Sequence, residues 1–166
     1  MSKAALKKEM SNMTHEQVVQ IMLDAYDANP EFKEYFEFFL NPNVERLMEK
    51  HDKVLVKELN RIKWGYSNAR SSVIKKSVKK FIGFNPGPEA VRDMLFLTLK
   101  RLGQCERYTN FKEPLMNYVT FVAKQIVQHA EKNEMFGETI IMLADEAKNP
   151  FYTPYFKEYI SAAMPR

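Results

Sequence analysis

Proline preceded by a helix-capping residue is the feature that most constrains this chain. Asn29-Pro30, Asn41-Pro42 and Thr153-Pro154 each join a side chain that can accept a free backbone amide to a proline suited to the first helical position. Thr14 and Gln17 add the spacing of a capping box. Each cap–proline pair predicts that a helix begins at its proline, and the helices are separated by short connections.

Aromatic residues recur at helical spacing around two of these pairs. We expect both aromatic faces to be buried, because an apolar helix face usually packs against other helices. Their members are Phe32, Tyr35, Phe36 and Phe39 in one and Tyr152, Tyr155, Phe156 and Tyr159 in the other. Residues 90–102 are apolar on most sides and are predicted to lie centrally.

The pattern predicts an all-α protein of about eight helices with no convincing strand. No run alternates as a half-buried strand does, and five glycines are few for a fold rich in hairpins. Gly65 is expected to end a helix running from about Val44 to Trp64, and Gly103 to end another. Short connections favour antiparallel helix pairs, packed as an irregular bundle or a short α-superhelix. The 166 residues suit one domain over positions 1–166.

Cysteine usage and hydropathy predict a cytoplasmic protein. Cys105 is the single cysteine, so no intramolecular disulfide can form, as is usual in a reducing compartment. No run approaches the ~20 apolar residues of a membrane span, and the N-terminal lysines are not followed by the apolar stretch of a signal peptide.

Charge is distributed in two adjacent blocks. Residues 9–45 hold eight acids and one base, whereas residues 46–80 hold eleven bases and three acids. The blocks could face each other within the fold, or one could attract a partner of opposite charge.

The segment 61–80 is the strongest candidate for a binding surface. It has seven basic residues and no acidic one. Its second half predicts an amphipathic helix, packed through its Val, Ile and Phe side with four lysines in water. The candidate residues for an acidic partner or nucleic acid are Arg61, Lys63, Trp64, Tyr66, Arg70, Lys75, Lys76, Lys79 and Lys80. The lysines could meet phosphates while the aromatics stack on unpaired bases, and contact with an anionic membrane is a weaker alternative.

No catalytic, cofactor-binding or metal-binding residue is predicted. His51 lies in an apolar series and is interpreted as a hydrogen-bonded boundary residue. No two histidines are close in sequence, and no metal-ligand or phosphate-loop motif occurs. Cys105 has no identifiable base and is interpreted as structural. An enzyme assembled from residues distant in sequence remains a weaker alternative.

Several segments resemble an uncharacterised bacterial family. They are "LKKEMSNMTHEQVVQIMLDAYDANPEFKEYFEFFLNP" (residues 6–42), "ARSSVIKKSVKKF", "GPEAVRDMLFL" and "ERYTNFKEPLMN". Together they are similar to domain of unknown function 6155. The resemblance implies an all-helical bacterial protein, and it carries no known activity or site residue.

The function predicted from these observations is a non-catalytic protein-binding or scaffold module that uses the charge-polarised N-terminal half. The alternative is sequence-independent nucleic-acid binding through residues 61–80. The expected partner is accordingly another protein, with nucleic acid second. The sequence leaves the oligomeric state open.

Overall fold

The computed structural model describes residues 1–165 and has the predicted all-α fold. Nine helices and one small hairpin lie within that range. In chain order they are α1 Lys3–Ser11, α2 His15–Ala28, α3 Pro30–Leu40, α4 Val44–Leu59, β1 Ile62–Lys63, β2 Tyr66–Ser67, α5 Ser71–Gly83, α6 Pro88–Glu106, α7 Glu113–Lys132, α8 Phe136–Ala147 and α9 Pro154–Ser161. The helix beyond the predicted eight is α1, whose lysine-rich residues have no buried member.

Three helices have the N-terminal cap that the sequence predicts. Thr14 Oγ1 accepts from the Gln17 backbone amide at 3.2 Å and Gln17 Oε1 accepts from that of Thr14 at 2.9 Å, which is a capping box. Asn29 caps α3 and Thr153 caps α9, each with proline in the first turn. The prediction at Asn41-Pro42 is wrong, since Asn41 closes α3 and α4 starts two residues after Pro42.

Two glycines have roles other than the predicted helix ends. Helix α4 stops at Leu59, and Gly65 instead lies in the turn between β1 and β2 with a φ of 76°. The prediction of no strand is therefore wrong for this hairpin, whose strands have two residues each. Gly103 lies inside α6, where a Cβ would come within 2.3 Å of the Tyr152 ring. The absence of a side chain lets that ring pack against the helix.

The fold has two compact units, Met1–Asn43 and the remainder of the chain from Val44 onward. The expectation of one domain over residues 1–166 stays a prediction. In the second unit α6 packs against α4, α5 and α7, and α7 also contacts α8 and α9. A helix with three helical neighbours is typical of an irregular bundle. In an α-superhelix each helix pair contacts only the adjacent pairs.

The core of the second unit is built around α6 and α7, as the apolar pattern of residues 90–102 predicts. Eight residues of α6 and nine of α7 are buried. Leu55 of α4 and Ile74 of α5 have no exposed surface and close the core from the other side. Burying a side chain of this size contributes roughly 1.5–3 kcal/mol.

The first unit is a small assembly in which no helical residue is buried. The prediction that both aromatic faces are buried is therefore only half right. Tyr152 and Phe156 are in the core, whereas Tyr155 is exposed, as are Tyr35 and Phe39 on α3. The contact between α2 and α3 covers one strip of each helix, and the aromatic face of α3 is wider than that strip.

Candidate functional site

The hairpin in the basic segment presents an aromatic side chain at its tip. Trp64 and Gly65 form the two-residue turn with φ of 55° and 76°. Positive φ at both central positions is the signature of a type I′ turn, which favours Asn-Gly. Trp64 is 86% exposed, so no packing against the rest of the chain explains a bulky residue in this conformation. Such an outlier is a reason to suspect binding.

Backbone hydrogen bonds fix this hairpin on the segment that follows α6. Ser67 donates from its amide to the Asn110 carbonyl at 3.0 Å, and Asn110 donates to the Gly65 carbonyl at 2.9 Å. Tyr66, whose ring is exposed, forms a β-bridge with Asn110. Asn110 lies two residues after Tyr108, which is also exposed. The segment 61–80 therefore supplies only part of this surface, and the segment with Tyr108 and Asn110 supplies the rest.

Arg61 and Arg70 share one buried carboxylate. Glu58 accepts from the Arg70 backbone amide at 2.8 Å and from Arg70 Nε and Nη2 at 3.0 and 3.1 Å, and Arg61 Nη1 lies 3.3 Å away. The side-chain hydrogen bonds from Arg70 lower the pKa of Glu58 to about 2, against the desolvation that would raise it. Both arginines therefore tie the hairpin to the end of α4.

The four lysines lie on α5 as the amphipathic pattern predicts. Lys75, Lys76, Lys79 and Lys80 are exposed, while Ile74, Val78 and Phe81 are buried. Lys75 Nζ lies 5.5 and 4.9 Å from the ring centroids of Tyr118 and Phe121 on α7, which engages it in cation–π contacts. Lys63, on β1, is also exposed.

His51 is inside the core, so its predicted boundary position is wrong, while its predicted hydrogen bonding is confirmed. Thr98 Oγ1 donates its one proton to the Met94 carbonyl and therefore accepts from His51 Nε2 at 2.9 Å. Nδ1 then accepts from the Ser77 hydroxyl at 2.7 Å. Burial lowers the pKa of His51 to about 4, and this neutral imidazole joins α4, α5 and α6.

An open cleft of about 570 Å³ lies between the last turns of α6 and α8. Its polar wall has Lys100 Nζ 3.8 Å from the Glu146 carboxylate, which also accepts from the Tyr152 hydroxyl. Arg107 lies on the other wall with the exposed rings of Tyr108 and Phe151. These residues were absent from the sequence-based candidates.

A second cleft, of about 280 Å³, lies on the other side of Tyr108 and includes Cys105. Burial raises the pKa of the Cys105 thiol, whose sulfur lies 3.5 Å from the Leu59 carbonyl oxygen. A protonated thiol is a poor nucleophile, which agrees with a structural cysteine.

Metal ligands and membrane-spanning helices are two further features to consider in residues 1–165. No group of three or more histidine, cysteine, aspartate or glutamate side chains comes together there in a way that could hold a metal ion. Over the same residues, none of the helices combines the length and the apolar character needed to cross a bilayer.

Fold and surfaces together define an all-α protein with an aromatic hairpin and polar clefts on its second unit. The chain belongs to the Family of unknown function (DUF6155), whose model matches residues 1–152 and so confirms the resemblance seen in the sequence. The matched range ends before α9. Neither a curated protein nor a solved structure matches the chain.

Proposed function

We propose that this chain is a non-catalytic protein-binding or scaffold module of the bacterial cytoplasm, and that the first unit is its binding surface. The observation that carries the proposal is the large apolar surface that α2 and α3 leave in solvent. Leu23 is 53% exposed, Phe39 66% and Leu40 61%, and Val19 lies one turn before Leu23. Large apolar side chains left exposed on two packed helices are typical of protein-interaction sites.

The contacts between α2 and α3 explain which residues stay available. The Tyr26 hydroxyl donates to Glu37 at 3.2 Å, and the Tyr26 ring meets that of Phe36 edge-on at 6.3 Å. Lys33 Nζ lies over the same ring at 5.0 Å. The strip of α3 that faces α2 thus includes Lys33, Phe36 and Glu37, and Phe39 lies to one side of it.

Charge defines the chemistry of the partner. Residues 9–43 carry seven acids and one base, and several acids border the apolar residues on α2 and α3. We therefore assign the surface to an amphipathic helix with an apolar stripe and basic flanks, which would bury its stripe and meet the carboxylates at the rim.

The test uses a fluorescein-labelled helical peptide with leucine on one face and lysine on the other. Wild-type protein is expected to raise its anisotropy on binding, and the double variant Leu23→Ser/Phe39→Ser to weaken binding by about tenfold or more. Ile141→Ser, which removes an equally exposed apolar side chain from α8, is the matched control and should bind as wild type.

Two outcomes contradict the proposal. The first is equal affinity of the double variant and the control for the peptide, or no binding by any of them. The second is concentration-dependent self-association that the double variant abolishes, since a second copy of the chain would then occupy this surface.

Single-stranded nucleic acid is a second candidate ligand, favoured by the exposed Trp64 in a backbone conformation that tryptophan rarely adopts. An aromatic ring at a fixed hairpin tip can stack on any base, and exposed lysines on α5 can meet phosphates without reading sequence. Trp64→Ala should lower oligonucleotide affinity by about tenfold, with Tyr155→Ala as the control, in titrations at about 50 and 200 mM salt. Affinity that is independent of salt or of Trp64 contradicts it.

A further inference from the structure

We propose that the cleft lined by Lys100, Arg107 and Phe151 binds an aromatic organic anion of about mononucleotide size. Arg107 would hold the phosphate or carboxylate of this ligand, and Tyr108 or Phe151 would stack on its ring. The cleft volume of about 570 Å³ falls in the range of small-molecule sites, roughly 300–1,000 Å³.

Arg107 is the cation of the cleft that can hold an anion. Its guanidinium carbon lies 5.5 Å from the Tyr108 ring centroid and 5.3 Å from that of Phe151. Across the described residues no carboxylate lies within ion-pair distance of it, although the other arginine of this helix end, Arg101, is bound by Asp52 at 2.6 Å. The two rings position a guanidinium whose N–H donors remain available to an anion.

The rings of Tyr108 and Phe151 provide aromatic surface in the cleft. Tyr108 is 76% exposed and Phe151 64%, although both are large aromatic side chains. Because each ring contacts Arg107 and is still mostly exposed, each has aromatic surface left for stacking. They come from positions 43 residues apart and meet at the same cation, which places a charge and two stacking surfaces in one cleft.

The wall opposite Arg107 carries the other charges that line the cleft. Lys100 is already partnered by Glu146, whose side chain is largely buried and also accepts from Tyr152. The cleft therefore has two cations against one carboxylate. Gly103 lies at its base, and Tyr152 packs on it. A net-positive cleft with exposed rings favours an anion that carries its own aromatic group.

The test is isothermal titration calorimetry with five anions. They are adenosine, guanosine, cytidine and uridine monophosphates and indole-3-acetate. At least one should bind, and Arg107→Gln should weaken that binding by about tenfold or more, the usual effect of losing a charge-assisted hydrogen bond. Phe151→Ala should also weaken it, whereas Lys132→Gln, which removes an exposed charge at the end of α7 outside the cleft, should not. Adenosine alone and inorganic phosphate alone should each bind more weakly than the anion that carries both an aromatic ring and a charged group.

The outcome that overturns the proposal is binding of none of the five anions, or equal binding by wild type and Arg107→Gln. Because every substituted side chain in this series is exposed or on the cleft rim, circular dichroism should show the variants folded. The peptide titration depends on Leu23 and Phe39 and the oligonucleotide titration on Trp64, and none of these residues lines the cleft. Failure here is thus distinguishable from failure of the peptide or oligonucleotide titrations.

Discussion

The Ser77 hydroxyl on α5 donates to Nδ1 of His51 on α4 across 2.7 Å, inside the core of the second unit. Nε2 of the same ring donates to Thr98 on α6, so one neutral imidazole connects three helices. A buried polar group with both nitrogens hydrogen-bonded stabilises one arrangement of these helices, whereas a protonated ring would have a second N–H facing the Ser77 oxygen in a desolvated site.

Stability should fall as pH is lowered from 6.5 towards 4. The pKa of His51 is about 6.5 in the unfolded chain and about 4 in the folded one, so the unfolded state binds the extra proton in this window. The contribution of His51 is complete above pH 6.5, and about 2 kcal/mol of it should be lost between pH 7 and pH 5. Urea unfolding at the two pH values measures this difference.

The variant His51→Gln isolates that effect, because glutamine keeps hydrogen-bonding capacity and does not titrate. Its loss of stability between pH 7 and pH 5 should be smaller than that of wild type by most of the 2 kcal/mol estimated above. An identical pH dependence in both proteins would show that His51 is not the titrating group.

Glu58→Gln should destabilise the second unit by about 1–3 kcal/mol, because it removes the charge that binds both Arg61 and Arg70. The lowered pKa of Glu58 means that its contribution is present above pH 4.5 and is lost as pH falls towards 2. Chemical denaturation at pH 7 measures the loss. A substitution at Glu89, an exposed acid in the first turn of α6, is the control.

Gly103→Ala should lower stability by about 1–3 kcal/mol even though alanine favours helices. The new methyl group would lie 2.3 Å from the Tyr152 ring, which is buried and cannot move away freely. Gly137→Ala is the matched control, since nothing lies within 4 Å of a Cβ in that helical position, and it should be neutral or stabilising. Thermal unfolding of the pair gives the comparison, and equal melting temperatures would disprove the close contact.

Trp64→Asn should raise stability slightly, by up to about 1 kcal/mol, because it converts the hairpin turn to Asn-Gly, the pair that type I′ turns favour. The same variant should lose oligonucleotide binding if Trp64 stacks on bases. A gain in melting temperature would support the type I′ assignment of the turn. If oligonucleotide affinity did not change in the same variant, the result would count against nucleic acid as a ligand.

Much of the architecture was predictable because helix caps are local chemistry. Thr14 with Gln17 and Asn29 with Pro30 determine helix starts within four residues of sequence, and the lysine face of α5 follows from period alone. The β1–β2 hairpin was missed because two-residue strands show no alternation, and because Trp64 occupies a turn position where asparagine would have signalled it.

The cleft could not have been predicted from the sequence. Arg107 and Phe151 meet only after α7 and α8 bring the chain back to the end of α6. From the sequence alone Gly103 cannot be told from a glycine that ends a helix, because its close contact with Tyr152 depends on the same distant packing. Nothing in the spacing of these residues records that they share a site.

The central claim is that the first unit binds a basic amphipathic helix through its exposed apolar residues. Its most direct measurement is an NMR titration of isotope-labelled full chain with the leucine–lysine peptide. The account predicts that the largest shift changes fall on Val19, Leu23, Phe39 and Leu40. Changes concentrated instead on the hairpin at Trp64 or on α5, or no changes at all, would contradict it.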